Sequence, residues 1–149
     1  MSSRFGSLKA MLDDARSKGD TLFGRIKDRA TFRRTVYACY LIGRADGNFD
    51  TTERQAIGAL IQQKLPQFKL EDIMKEIEAA DAKLAFDETM GAQELMAEIG
   101  KATGDAAELV VQAACYIGAA DGEFDDAEKT VARQIAERMN LNPANYGLA

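Results

Sequence analysis

The sequence contains no histidine and no tryptophan in its 149 residues. Histidine is the side chain that proteins use most often as a general base and as a transition-metal ligand. Its absence argues against acid–base catalysis and against most transition-metal sites. Any metal that this chain binds must therefore be held mainly by oxygen ligands.

Cysteine is also scarce, and its two copies are Cys39 and Cys115. Both lie in apolar helical runs, where a cysteine is usually a small buried hydrophobe of a protein in a reducing compartment. Core packing is the main interpretation of both residues. Thiol chemistry is the alternative.

Long apolar runs are missing as well. The most apolar window, 106–120, spans 15 residues and is interrupted by Glu108 and Gln112, whereas a membrane-spanning helix needs about 20 apolar residues. The first residues become charged before the apolar stretch of a signal peptide can form. We therefore expect no transmembrane segment and a cytoplasmic location.

The remaining composition is typical of a helical protein. The chain is 46% apolar and 29% charged, and it has only two prolines. It is rich in Ala, Leu, Glu, Lys and Met, which favour helices. Together with a length that suits one domain, these features predict an all-α fold, a single bundle of about seven helices.

Apolar periodicity, capping residues and glycines predict the helix boundaries. A basic amphipathic helix is expected within residues 1–29, interrupted near Gly19. Asp87 is the predicted N-cap of a helix that Thr103 and Gly104 close, and Asp105 with Glu108 forms a capping-box pattern for the next helix, which runs to Ala120. The other predicted helices are 30–45, 51–64, 69–83 and 126–139, followed by a short tail at Pro143.

Charge is unevenly distributed along the chain. Residues 1–34 carry nine basic and four acidic side chains, whereas the remaining 115 residues carry ten basic and twenty acidic ones. The first helix either packs its apolar stripe on the domain or lies with its basic face on an anionic membrane or partner. Its own acidic residues favour packing, and the acidic body argues against nucleic-acid binding. The apolar stripe consists of Phe5, Leu8, Leu12, Ala15, Leu22 and Ile26.

One motif occurs twice, at an offset of 75 residues. Residues 42–53 and 117–128 are identical at eight of twelve positions, which indicates an internal duplication. We expect the copies to lie in two helix–turn–helix units, 30–64 and 105–140. The predicted bundle then consists of two halves related by a pseudo-twofold axis.

Each copy has a purely structural interpretation. Gly47 and Gly122 would supply the left-handed residue that ends a helix. An acidic pair would then cap the next helix, with a phenylalanine ring buried to fix the turn. The capping pairs are Asp50 with Glu53 and Asp125 with Glu128.

This structural interpretation does not explain Asp46 and Asp121. Each follows a helix C-terminus, where the helix macrodipole disfavours a carboxylate, so their repetition indicates a compensating cation. Three carboxylates per turn, with the free carbonyl oxygens of the helix end, would form an oxygen cage for Ca²⁺ or Mg²⁺. The candidate metal ligands are Asp46, Asp50, Glu53, Asp121, Asp125 and Glu128.

The spacing Asp-Gly-x-Phe-Asp-x-x-Glu also matches the second half of an EF-hand calcium loop. In the first copy, Ile42 and Arg44 occupy the positions where that loop has its first two acidic ligands. A complete EF-hand is therefore not expected. The alternatives are a truncated oxygen site and helix capping alone.

The two turns, Ala45–Glu53 and Ala119–Lys129, and the tail Asn142–Leu148 resemble the tellurite-resistance TerB family. The likeness extends over essentially the whole chain, including the basic start, although residues 65–104 carry no matching motif. It implies a small cytoplasmic protein of two intertwined four-helix-like halves, whose acidic cluster binds metal through the six carboxylates named above. It also implies partners from the same tellurite and stress-resistance system, among them an integral membrane protein that would bring the chain to the inner face of the membrane.

Other functions compete with a metal-binding scaffold. No glycine-rich phosphate loop and no nucleophile beside a base is present, so we expect no enzyme. Reduction of tellurite by the two thiols is a second rival, although Cys39 and Cys115 are offset by 76 residues rather than 75 and so are not equivalent. The strongest rival is a metal-independent interaction module, because TerB-like domains also resemble the accessory domain of some membrane-linked DnaJ co-chaperones.

Overall fold

The computed structural model describes residues 7–45, 47, 49–120 and 124–148, without the side chains of residues 19 and 20. Within these ranges the chain forms seven α-helices and one 3₁₀ turn and has no β-strand, which confirms the all-α prediction. The helices are α1 (Leu8–Phe23), α2 (Arg29–Gly43), α3 (Thr51–Lys64), α4 (Leu70–Phe86), α5 (Glu88–Ile99), α6 (Gly104–Gly118) and α7 (Asp126–Arg138), and the 3₁₀ turn is Pro143–Tyr146.

Helices α2 and α6 pack against each other at the centre of the fold. Residues 35–42 of α2 and 109–115 of α6 are all buried, and a helix that is buried on every side belongs to the core. The other helices surround this pair, with α1 against α6, α4 and α5 against α2, and α7 against both. No helix in the described ranges combines the length and the apolar composition that crossing a bilayer requires.

Helix α1 packs its apolar side on the domain, which is the first of the two interpretations above. Met11, Ala15 and Phe23 are buried in the core, and Phe5 lies outside the described residues. The predicted interruption near Gly19 is wrong, since α1 continues through that residue to Phe23. A helical glycine costs about 1 kcal/mol relative to alanine, and the burial of the apolar side chains offsets that cost.

Several basic residues of the first 34 positions pair with acidic residues of the body. Arg33 Nε lies 3.0 Å from Glu76 Oε2 on α4, and Arg34 Nε lies 3.0 Å from Glu98 Oε2 on α5. These ion pairs join α2 to two of its neighbours. Part of the charge contrast along the sequence is therefore neutralised within the fold.

The boundary between α5 and α6 differs from the prediction. Asp87 caps α5 as predicted, but α5 ends at Ile99 and Gly104 opens α6 rather than closing a helix. The predicted capping box at Asp105 is wrong, because this residue lies inside the first turn of α6 and pairs with Arg25 at 3.7 Å. Acidic residues are favoured both at the N-cap and throughout the first turn, so the sequence pattern does not distinguish the two positions.

Candidate functional site

The two copies of the repeated motif have the same backbone conformation where they leave one helix and enter the next. Arg44 follows α2 with φ and ψ of −95° and 8°, and Ala119 follows α6 with −92° and 4°. The residues that precede α3 and α7, Asp50 and Asp125, are both extended, with φ of −79° and −78°. The two similar segments therefore have the same backbone conformation at both ends of each turn.

Both predicted capping boxes are present. Asp50 Oδ1 accepts a hydrogen bond from the Glu53 N–H at 2.9 Å, and Glu53 Oε1 accepts one from the Asp50 N–H at 3.4 Å. The matching distances for Asp125 and Glu128 are 2.8 and 3.0 Å. Each bond engages one of the two oxygens of its carboxylate. Capping therefore accounts for the positions of all four side chains.

A glycine at the end of α2 and another at the end of α6 make room for the phenylalanine of each turn. A Cβ added to Gly43 would lie 3.0 Å from Phe49 Cε1, and one added to Gly118 would lie 3.2 Å from Phe124 Cε2. Both rings are partly buried against the core, as predicted for the fixing of the turn. Gly47 has a φ of +88°, the predicted left-handed conformation.

Carboxylates from both copies line one groove between the two turns, which we call the inter-turn groove. It has a volume of about 320 Å³ and is lined by Glu53 from the first copy and by Asp125 and Glu128 from the second. The two turns are therefore neighbours in space. The apolar part of the groove is formed by Phe49, Ala56, Ile57, Leu60 and Ile117.

The described carboxylates do not form a metal site by themselves. Two of the six predicted ligands, Asp46 and Asp121, lie outside the described residues, as does Gly122. Within 7–45, 47, 49–120 and 124–148, no three His, Cys, Asp or Glu side chains are grouped closely enough to hold a metal ion. The donors present are carboxylate oxygens, which suit a hard cation such as Ca²⁺ or Mg²⁺. A complete site would also have to include Asp46 or Asp121.

A positively charged side chain of the protein, Arg54, lies against the first turn. Arg54 Nη1 donates a hydrogen bond to the carbonyl oxygen of Phe49 at 3.1 Å. The same guanidinium pairs with Glu78 at 3.1 Å and with Asp81 at 3.6 Å, both on α4. The equivalent position in the second copy is Lys129, which is exposed. The two turns therefore differ in their electrostatic surroundings.

Helix α4 is joined to the first turn by a hydrogen bond and a ring contact that the sequence did not predict. Tyr40 Oη donates a hydrogen bond to Asp81 Oδ1 at 2.7 Å, and its ring packs edge-on against Phe49 with centroids 5.2 Å apart. Burial and the Asp81 carboxylate together raise the pKa of Tyr40. Tyr40 and Asp81 are 41 residues apart, and no local pattern predicts a contact at that separation.

Residues 33–149 match the family model of the tellurite resistance protein TerB. The chain belongs to the TerB family. The match includes both turns and the tail, but it begins after α1, so the basic start that we expected to share the likeness lies outside it. No curated protein and no solved structure matches the chain.

Both cysteines of this TerB-family chain are free and lie in the central helix pair, with 0% of Cys39 and 1% of Cys115 exposed. Burial raises the pKa of Cys115 to about 12. Burial and the neighbouring Cys115 raise the pKa of Cys39 as well. Because the thiolate is the reactive form, burial disfavours thiol chemistry at both residues. The core-packing prediction is confirmed.

Proposed function

We propose that this TerB-family chain is a divalent-cation-binding helical scaffold of a tellurite-resistance and stress-response system. The two turns bind Ca²⁺ or Mg²⁺, and cation occupancy alters a surface that the chain offers to protein partners. The role is binding rather than catalysis. The observation that carries the proposal is the inter-turn groove, where Glu53 of one copy lines the same space as Asp125 and Glu128 of the other.

Electrostatic repulsion would favour a bound cation wherever the carboxylates of the turns converge. Two carboxylates about 5 Å apart repel each other by roughly 3 kcal/mol at an effective dielectric constant near 20, and a divalent ion between them would replace repulsion with attraction. Carbonyl oxygens at the ends of α2 and α6 would complete the coordination. The proposed ligands are Asp46, Asp50, Glu53, Asp121, Asp125 and Glu128.

The second turn is the better cation site in this proposal. In the first turn, the Arg54 guanidinium already lies against the turn and donates to the carbonyl oxygen of Phe49, and its positive charge would repel a metal ion. Residues 44–53 contain three acidic residues and one basic residue, whereas residues 119–128 contain five acidic residues and no basic one. We therefore expect the second turn to bind the cation more tightly.

The scaffold itself is proposed to be a duplication with pseudo-twofold symmetry. The 75-residue offset pairs α1 with α5, α2 with α6 and α3 with α7. Helix packing supports this relation, since α1 lies on α6 as α5 lies on α2, and α1 contacts α3 as α5 contacts α7. Helix α4 lies between the two proposed halves and is not paired with another helix in this relation.

The proposed partners are proteins of the same resistance system, including an integral membrane protein. The family resemblance is the support for this choice and for a cytoplasmic location at the inner face of the membrane. The chain's net charge of −5 supports protein partners over nucleic acid.

A thermal-shift experiment tests the cation role. Chelator-stripped wild type should melt at a higher temperature after addition of Ca²⁺, because a ligand that binds only the folded state stabilises it. The double variant Asp46→Asn with Asp121→Asn should lose this rise. The control Glu71→Gln, an exposed residue of the first turn of α4, should keep it. If Ca²⁺ raises the melting temperature of the double variant as much as that of the wild type, then neither aspartate is a ligand.

The second candidate function is a metal-independent interaction module, similar to a co-chaperone accessory domain. Its support is that the capping boxes already account for Asp50, Glu53, Asp125 and Glu128. Pull-down of partners with and without a chelator distinguishes the two functions. If the chain captures its partners equally well with and without the chelator, the metal-independent interaction module is favoured.

A further inference from the structure

The inter-turn groove combines an acidic rim with an apolar floor. One wall is a single side of α3, on which Glu53, Ala56, Ile57 and Leu60 follow the i, i+3, i+4, i+7 spacing of a helix face. Leu60 and Phe49 are only partly buried, so the floor retains apolar surface that a partner can cover. All the residues named here belong to the described part of the chain.

The two parts of the groove favour one type of occupant. A hydrated inorganic cation would interact with the carboxylates and gain nothing from the floor. A purely apolar side chain would cover the floor but would remove water from charged carboxylates and add no positive charge, which is costly. Lysine and arginine match both parts, because their stems lie on apolar surface while their charged heads reach the edge.

We propose that the inter-turn groove binds a lysine or arginine side chain of a protein partner, presented on a helix next to an aliphatic residue. The positive head pairs with Glu53 and with Asp125 or Glu128, and the aliphatic residue covers Leu60 and Phe49. This inference rests on the proposed scaffold function for its partner, and it does not require a bound metal. A volume of about 320 Å³ is near the lower limit of about 300–1,000 Å³ for ligand pockets, which suits side chains of a helix better than a large cofactor.

Competition with the cation follows from this arrangement. A divalent ion held by Asp125 and Glu128 would reduce the negative charge of the rim and weaken the attraction of a basic side chain. Partner binding should therefore weaken as Ca²⁺ is added, and it should also weaken with salt because the rim is exposed to solvent. Cation occupancy would then release a partner rather than recruit one.

The test uses a synthetic alanine-based helical peptide with one Lys–Leu pair spaced four residues apart, so that both side chains lie on one face. Binding to the full chain is followed by NMR amide shifts in the presence of a chelator. We expect saturable shifts in α3 and in the first turn of α7. A matched peptide with Glu in place of Lys should not bind. Equal binding of both peptides, or shifts confined to other helices, would overturn the inference.

Two variants locate the interaction without unfolding the chain. The double variant Glu53→Gln with Glu128→Gln keeps both capping boxes, since glutamine serves in them as well as glutamate, and it should weaken peptide binding by about fivefold. Ala56→Lys, at an exposed helical position, should block the groove with its own amine. The control Glu71→Gln should bind normally. Wild-type affinity in the double variant would contradict the proposal.

The experiment also separates this inference from the proposed cation role. Peptide binding that fails in chelator while Ca²⁺ still binds the stripped protein would reject the groove and leave the cation role standing. Peptide binding in chelator, together with no binding of Ca²⁺ or Mg²⁺ to the stripped protein, would support the groove and reject the cation role.

Discussion

The guanidinium of Arg54 donates a hydrogen bond to the carbonyl oxygen of Phe49 at 3.1 Å. It also joins this turn to α4 through Glu78 and Asp81. The first turn is therefore held by a positive charge that the chain supplies itself. The second turn has Lys129 at the equivalent position, and that side chain is exposed to solvent.

Replacement of Arg54 by methionine should destabilise the chain more than the matched replacement Lys129→Met. The Arg54 side chain is only 15% exposed, and its loss removes a bond to a loop carbonyl and two ion pairs. We expect a loss of about 1–2 kcal/mol in the free energy of unfolding. Lys129→Met should cost less than about 0.5 kcal/mol. Urea unfolding measures both, and equal costs would contradict the difference between the turns.

Loss of the capping boxes should destabilise the chain without any metal. Asp50→Ala and Asp125→Ala should each lower the free energy of unfolding by about 1 kcal/mol in chelator, because an N-terminal amide of the next helix loses its acceptor. Glu53→Gln and Glu128→Gln should cost much less, since glutamine completes the same box. If the alanine variants are destabilised only when Ca²⁺ is present, then capping is not the role of these aspartates.

Asp28 should make stability depend on pH in the acid range. Its carboxylate accepts a hydrogen bond from the Thr31 N–H at 2.9 Å, and hydrogen bonds with Thr31 hold the pKa of Asp28 below its ordinary value. A pKa that is lower in the folded state than in the unfolded state stabilises the fold above the unfolded value, about 3.9. That contribution is lost as the pH falls through the folded pKa.

The variant Asp28→Asn isolates this effect, since asparagine is an equally good N-cap and does not titrate. The stability of wild type relative to the variant should be constant well above the unfolded pKa of about 3.9 and should decline as the pH falls through this value and the lower folded pKa. Urea unfolding at a series of pH values measures the difference. A difference that is constant, or that grows on acidification, would contradict the assignment.

We expect the two thiols to be unreactive in the folded chain. Cys39 and Cys115 are buried, and their pKa values are raised, so a thiol-disulfide reagent at about pH 8 should modify neither until the chain is unfolded. Tellurite resistance in cells should also survive Cys39→Ala with Cys115→Ala. Rapid modification of the native protein would contradict this prediction. Loss of resistance in a variant that still folds would support reduction of tellurite by the thiols.

The features that were predictable from sequence are local ones. Thr51–Lys64 was predicted with the bounds that the structure shows, because a capping box opens this helix and Leu65-Pro66 follows it. The phenylalanine and the capping pair of each turn, and the left-handed Gly47 of the first turn, were predictable for the same reason. Each of these features is decided by residues within one or two helical turns.

The features that were not predictable depend on distant contacts. The network of Arg54, Tyr40 and Asp81 brings α4 onto the first turn, and neither the pattern nor the spacing of these residues signals it. The continuity of α1 through Gly19 is also set by packing, since residues on both sides of the glycine, such as Ala15 and Leu22, are buried in the core. The inter-turn groove required the placement of α3 beside the start of α7, which only the fold provides.

Calorimetric titration of the chelator-stripped chain with Ca²⁺, then Mg²⁺ and Mn²⁺, addresses the claim that the duplicated turns bind a divalent cation. We predict saturable binding of at least one of these ions by the wild type and none by Asp46→Asn with Asp121→Asn. Asp125→Asn, which keeps the helix cap, should weaken binding more than Asp50→Asn. No binding heat for any of the three ions up to about 1 mM, the weak limit of protein calcium sites, would contradict the claim.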